Sequence, residues 1–418
     1  MLQRLKHHAA RTLRWSEQYT KTDMIYLTKG GFWLAFGHGV QVASGLILAV
    51  AFANLLPKES YGTYQFIMSV AAIMSALTLS GMSTAIKRAV ANGNEGALPY
   101  GFKTQLVWST SIVFVGGALA LYYFMNGNNT LAISFLIVGA LSPFIEGFSL
   151  YKAYLIGTKR FKESAFLGFW RRPIFLIAVL IAVFLTNDPA ILVLVYFAAS
   201  AISAGLLYWL VIRKYNLRTS PDSSLINYSK HLSIMGLAST IGNNADKVLI
   251  FYFLGPAPLA IYTLATLPFI HINKALGLSK DLAFPKFSRY SFTNLRKTLH
   301  TKVMTLFVVT IGIVCAYIFT AQYIYAILFP AYPEAVLLSQ VAICALLFRP
   351  SMLYNQVFTA QGIKKAQYFI QITAAILRIV IPLVLLPVIG VWGAIWALVI
   401  IYAYTAFVSI ITFYIQKV

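Results

Sequence analysis

Carboxylates are scarce in this sequence. Asp and Glu together number 11 in 418 residues, and all charged residues make up 11% of the chain, where a soluble domain averages about a quarter. Beside 59% hydrophobic residues, so little charge excludes almost every soluble enzyme fold. Cysteine is nearly missing as well. Cys315 and Cys344 each sit in an apolar run, which argues against a disulfide framework or a zinc cluster and leaves both as core residues. The first 29 residues carry six Lys/Arg and no long apolar stretch, so no signal peptide is expected. Nor is there a long segment on the sparsely charged side of the chain, which excludes a large catalytic domain there.

What the sequence has is length in its apolar runs. At about 20 residues per crossing, twelve crossings take roughly 240 residues, and a mean hydropathy of +0.76 agrees with that demand. The runs predict an all-α integral membrane protein with twelve transmembrane helices. Their expected positions are 30–56, 61–83, 104–124, 131–154, 165–186, 191–212, 232–254, 258–279, 303–319, 336–358, 370–389 and 391–415. This gives a basic cytoplasmic segment (1–29), a six-helix bundle (30–212), a cytoplasmic linker (213–231) and a second six-helix bundle (232–415).

Net charge is +22. In a soluble protein this excess would point to nucleic acid, but its distribution points to a membrane and no nucleic-acid partner is expected. The connections alternate in character. Lys58 is the one basic residue on the second side; Arg171, Arg172, Lys247, Arg349 and Arg378 fall inside the spans. The rest of the 33 Lys/Arg lie on the first side, counting Lys152 and Lys274 at helix ends. By the positive-inside rule both termini are cytoplasmic. The sequons at Asn128 and Asn227 then fall on opposite faces and are read as chance. The amphipathic start, with Leu2, Leu5 and Leu13 among Arg4, Lys6 and Arg14, either lies on the anionic inner leaflet or is a solvated basic tail.

A short repeat links the halves. Leu56-Pro57-Lys58-Glu59-Ser60-Tyr61-Gly62-Thr63-Tyr64 and Leu254-Gly255-Pro256-Ala257-Pro258-Leu259-Ala260-Ile261-Tyr262 lie 198 residues apart, nearly half the chain. Six helices per half put both copies in the same direction, so a pseudo-two-fold axis along the membrane normal and a central cavity are expected.

The segment Phe52-Ala53-Asn54-Leu55-Leu56-Pro57, running on to Tyr61-Gly62-Thr63-Tyr64, resembles the first loop of polysaccharide exporters. So does Leu79-Ser80-Gly81-Met82-Ser83-Thr84-Ala85-Ile86-Lys87-Arg88. With Asn243-Asn244-Ala245-Asp246-Lys247, Pro285-Lys286-Phe287-Ser288, Ile327-Leu328-Phe329-Pro330-Ala331-Tyr332 and Gly390-Val391-Trp392-Gly393-Ala394, the order and spacing resemble the Wzx-type O-antigen and polysaccharide flippases of the multidrug/oligosaccharidyl-lipid/polysaccharide (MOP) exporter superfamily. The resemblance covers about residues 30 to 415. It implies alternating-access translocation of undecaprenyl-pyrophosphate-linked oligosaccharide across the cytoplasmic membrane, without enzymatic activity.

Charges at bilayer depth cost at least a few kcal/mol and call for a reason. Arg378 lies about eight residues into its span, on a face shared with Gln371, Ala374 and Ala375. It either faces a watery lumen or pairs within the fold. Arg171 and Arg172 are either lumenal or mark the true start of their helix, with Pro173 in its first turn. Arg349 precedes Pro350, an expected kink, and is lumenal or snorkelling. Ser239, Asn243 and Asp246 form one helical stripe, with Lys247 turned about 100° away. Asp246 and Glu146 are each either proton carriers or partners in a static ion pair. The expected cationic lumen is Arg378, Arg171, Arg172, Arg349 and Lys247; the expected coupling and polar groups are Asp246, Glu146 and Asn243. His38, Gln41, His271 and Asn273 are further polar spots, more simply packing residues. Five cations against two carboxylates within the spans suit a pyrophosphate and acidic sugars.

No metal or cofactor is expected. The expected partners are the lipid-linked oligosaccharide, membrane lipids, a coupling ion (proton or sodium), and polymerase or assembly proteins. The alternatives are a multidrug antiporter of the same superfamily, for which a carboxylate-rich lumen would be expected, and a membrane polymerase or glycosyltransferase, which would need an acidic catalytic group and a sizeable exterior loop.

Overall fold

The structure is a computed structural model that describes residues 24–219, 223–287 and 292–416. The basic start before Met24 and the side chain of His38 lie outside the described residues. Helix is the only regular structure among them. In chain order these are α1 (Met24–Leu55), α2 (Lys58–Ala76), α3 (Met82–Ala91), α4 (Ala97–Trp108), α5 (Thr110–Met125), α6 (Asn129–Phe148), α7 (Tyr151–Gly157), α8 (Phe161–Leu185), α9 (Pro189–Tyr215) and α10 (Ser223–Leu254). There follow α11 (Pro256–Phe287), α12 (Phe292–Leu328), α13 (Ala335–Cys344), a 3-10 stretch (Ala345–Ser351), α14 (Met352–Ala360), α15 (Lys364–Ile389) and α16 (Val391–Ile415).

Local chemistry sets the breaks. Asn128 caps α6 by accepting from Leu131 N, and Asp188 caps α9 ahead of Pro189 by accepting from Ala190 N. Both satisfy amides that a helix start leaves unpaired. Gly255 (φ +88°) separates α10 from α11, and Gly390 (φ +60°) separates α15 from α16, conformations a residue with a Cβ rarely takes. Pro350 removes one backbone donor, and the chain around it winds as 3-10 helix instead of a simple kink.

Three expectations are revised. Arg171 and Arg172 do not mark a helix start: α8 begins at Phe161 and carries Pro173 in its interior. The expected loops 280–302 and 320–335 are largely helical, because α11 runs to Phe287 and α12 from Phe292 to Leu328. The expected loop 84–103 likewise holds most of α3 and the start of α4.

Nine stretches among the described residues are long and apolar enough to cross a membrane. Of the other three expected spans, 61–83 and 232–254 fall on helices α2 and α10, which are more polar, and 30–56 falls on α1, whose run Gly39–Leu55 is apolar. These three helices take part in the contacts that position the cavities: α1 packs on α8, α2 on both α10 and α11, and α10 on α15. One hydrophobic cluster runs through both halves of the sequence, from Phe52, Tyr61, Tyr64 and Phe66 to Ile250, Tyr262, Leu264 and Tyr325.

At the Pro57/Pro256 end the halves close on each other. The rings of Phe66 and Phe251 stack at 3.9 Å, Asn54 Nδ2 donates to Leu328 O at 2.8 Å, and Lys58 pairs with Glu334. A Cβ on Gly62 would lie 1.8 Å from Pro256 O, so the two copies of the sequence repeat touch at a point where only glycine fits.

Candidate functional site: basic cavities in each half

Four cavities collect the eight site residues expected from sequence. In the second half, α15 packs on α10, and this places Arg378 against Gly242, where an added Cβ would come within 3.3 Å of the arginine's Cδ. The absent side chain leaves room for the guanidinium. Arg378 donates to Asn243 Oδ1, while Asn243 Nδ2 donates to Ser239 Oγ at 3.4 Å. Arg378 lines two neighbouring cavities. One, of about 520 Å3, also holds Arg349, Gln371, Tyr368 and Tyr402. The other, of about 490 Å3, holds Asn243, Asp246, Lys247, Tyr262, Asn273, Lys274 and Tyr402.

Asp246 accepts from the Tyr262 hydroxyl and from Lys247 N at 2.9 Å. Both contacts are hydrogen bonds from uncharged donors, not ion pairs. Asn273 Nδ2 donates to the Tyr402 hydroxyl at 3.0 Å, leaving Asn273 Oδ1 buried without a partner. Arg349, on the 3-10 stretch, has a buried Nε without an acceptor. Among the described residues the two ion pairs within 4 Å are Lys58–Glu334 and Lys214–Glu163. Arg349, Arg378, Lys247 and Lys274 are in neither, so their charges face the cavities uncompensated by a contacting carboxylate.

In the first half, a cavity of about 510 Å3 between α1, α2, α8 and α9 is lined by Trp33, Gln41, Ser75, Lys152, Arg171, Arg172 and Tyr196. Arg171 is tied to α9: its Nε donates to Ser203 Oγ at 2.9 Å and its Nη2 to Ser200 O at 3.1 Å. A smaller cavity of about 300 Å3 holds Glu146 with Lys87, Gln105 and Lys152, so Lys152 joins the two. His/Cys/Asp/Glu clusters of metal-site size are absent among the described residues.

The eight site residues expected from sequence thus fall into two groups, one in each half. Lys152, Lys274, Tyr196, Tyr262 and Tyr402 were not singled out as site residues. The lysines fell near predicted span ends and were counted as snorkelling. Tyrosine is common throughout the chain, with 25 copies, so its position alone carries no signal.

The chain has the fold of the MOP-superfamily transporters. It superposes on the lipid II flippase MurJ in an inward closed conformation with a TM-score of 0.70 at 14% identity, covering 92% of this chain and 87% of that one. It superposes on an inward-facing multidrug resistance MATE family transporter at 0.63 and 13% identity, covering 90% and 94%. A MOP-superfamily transporter from Pyrococcus furiosus, described as having a binding pocket of reverse polarity that suggests a different function, matches at 0.61 and 15%, covering 93% and 95%. Among curated proteins none matches the sequence. The profile of the polysaccharide biosynthesis protein family matches residues 27–291, and the chain belongs to that family.

Proposed function

We infer that this protein is a flippase for lipid-linked oligosaccharide, carrying a polyprenyl-diphosphate headgroup and its glycan across the cytoplasmic membrane by alternating access. In this reading the chain crosses the bilayer twelve times as two six-helix bundles, both termini are cytoplasmic, and the Pro57/Pro256 end faces the exterior. The observation that carries it is Arg378: a guanidinium at membrane depth, without a carboxylate partner, shared by two cavities that also hold Arg349, Lys247 and Lys274. Such a charge is costly to keep dry, and a diphosphate offers the bidentate acceptor that suits its fork. Arg349 adds an unsatisfied donor beside it. Membership of a polysaccharide biosynthesis family and the fold shared with a lipid II flippase support the same cargo class.

A multidrug antiporter fits less well. The cavities combine eight Lys/Arg side chains, four in each half, with Asp246 and Glu146, which disfavours cationic drugs. The relative whose pocket of reverse polarity suggests a different function supports reading cavity charge as a guide to cargo in this fold. Asp246, held by Tyr262, is the proposed coupling group, with Glu146 the second candidate; proton or sodium is the coupling ion, and a polysaccharide polymerase the downstream partner.

The test is complementation of a deletion strain at matched expression. Arg378→Ala should abolish surface polysaccharide while membrane insertion stays normal, and Arg378→Lys should retain part of it, because an ammonium keeps the charge but not the fork. Full display with Arg378→Ala would assign this charge to packing.

A further inference from the structure

The first-half cavity contains more charge than the diphosphate reading uses. Lys152, Arg171 and Arg172 converge there, and the ion pairs found among the described residues include none of them. Arg171 spends two donors on Ser200 and Ser203, which fixes its plane. Arg172 and Lys152 find no acceptor among the described residues. Glu146 lies in the adjoining cavity beside Lys152, beyond ion-pair distance of it.

Charge counting sharpens the point. Lys87, Lys152, Arg171, Arg172, Lys247, Lys274, Arg349 and Arg378 line the four cavities with Asp246 and Glu146, an excess of six positive charges. A lipid-linked diphosphate brings about two negative charges. The remainder is concentrated in the first half, on helices other than those that hold Arg378. Its surroundings also differ in kind: Trp33 and Tyr196 line the same cavity and offer flat apolar faces with a polar edge, a surface suited to sugar rings.

We propose that this cavity is a second anion site, separate from the one at Arg378, which holds a carboxylate- or phosphate-bearing sugar of the glycan against Arg172 and Lys152. The substrate is then an acidic oligosaccharide, and the two halves of the bundle hold its two anionic ends. This rests on the flippase reading. Arg171 is the positioning residue, since its hydrogen bonds to α9 hold the site's geometry.

The experiment uses the full chain in lipid nanodiscs, titrated with three probes: a trigalacturonate, the corresponding neutral trigalactoside, and inorganic pyrophosphate. The trigalacturonate should bind about tenfold more tightly than the neutral sugar. Arg172→Gln and Lys152→Gln should each weaken it by about tenfold, the worth of one charge-assisted hydrogen bond, while leaving pyrophosphate binding unchanged. Arg378→Gln should do the reverse, and retained binding of the other probe shows that each variant is folded. Equal binding of acidic and neutral sugars would overturn the proposal, as would Arg172→Gln weakening both anions alike. In parallel, the lipid-linked oligosaccharide that accumulates in a deletion strain is hydrolysed and its sugars identified. A uronic acid or sugar phosphate supports the proposal and shows which anion is used. A neutral glycan overturns it alone, whereas no accumulation at all counts against the flippase reading.

Discussion

Asp246 is held by donors that have no charge of their own. The Tyr262 hydroxyl and the Lys247 amide satisfy it, while the Lys247 ammonium turns elsewhere, as a 100° step along a helix dictates. Replacing Asp246 with Asn keeps the volume and one acceptor but removes the carboxylate, and with it the proposed coupling group. Gradient-driven transport in proteoliposomes should stop while substrate binding persists. If Asp246→Asn and Glu146→Gln both leave the pH dependence of transport unchanged, neither carboxylate is the coupling group. Residues of this kind were legible in the sequence because an ionised group in an apolar run stands out on its own. Arg378, Arg349 and Asp246 were found that way. Lys152 and Lys274 were not, because a lysine near a span end has a cheaper explanation, and whether it turns inward depends on the neighbouring helices, which no local pattern encodes.

Among the helices, α5 and α6 show how closely two backbones can approach. A Cβ on Gly116 would sit 2.9 Å from Gly139 Cα and 2.9 Å from Phe135 O, the small-residue contact that membrane helices use where burial from water cannot drive association. Gly116→Leu should therefore push the pair apart and destabilise the first half by about 2 kcal/mol, the usual cost of overpacking. A thermal melt of the purified variant checks this, with Gly117→Leu as control, since nothing lies within 4 Å of a Cβ there. Helix existence was readable from hydropathy, but helix length was not. Residues 303–319 are the apolar part of α12, yet the helix extends from Phe292 to Leu328. Apolarity reports what contacts lipid, whereas the helix ends where its backbone hydrogen bonds do. The same difference hid the 3-10 winding around Pro350, where the sequence predicts a kink but not its form.

For the molecule as a whole, the closed Pro57/Pro256 end is the feature that defines its state. Of the two ion pairs among the described residues, Lys58–Glu334 is the one that joins the two halves of the chain. Burial alone would raise the Glu334 carboxyl, but the hydrogen bond from Lys58, its own backbone amide and the Lys58 charge outweigh that and hold it below the usual carboxylate range. A depressed value means that the closed end is favoured while Glu334 is ionised and loses that contribution as pH falls through the lowered range. Both side chains are at least a third exposed, so the pair is worth at most about 1 kcal/mol, or roughly a fivefold shift in the closed population. Spin labels on either side of the contact should report fewer closed molecules in acid, and Glu334→Gln should abolish that pH response. The stacked rings of Phe66 and Phe251 and the Gly62–Pro256 contact have a further consequence, concerning the cell's electrical insulation. A bundle with cavities roomy enough for many waters in each half is one seal away from being a leak, and every elementary charge that slips through 100 mV dissipates about 2.3 kcal/mol. A wedge such as Gly62→Trp should then do more than stop transport: cells expressing it should lose membrane potential, read with a voltage-sensitive dye, even when no substrate is being made.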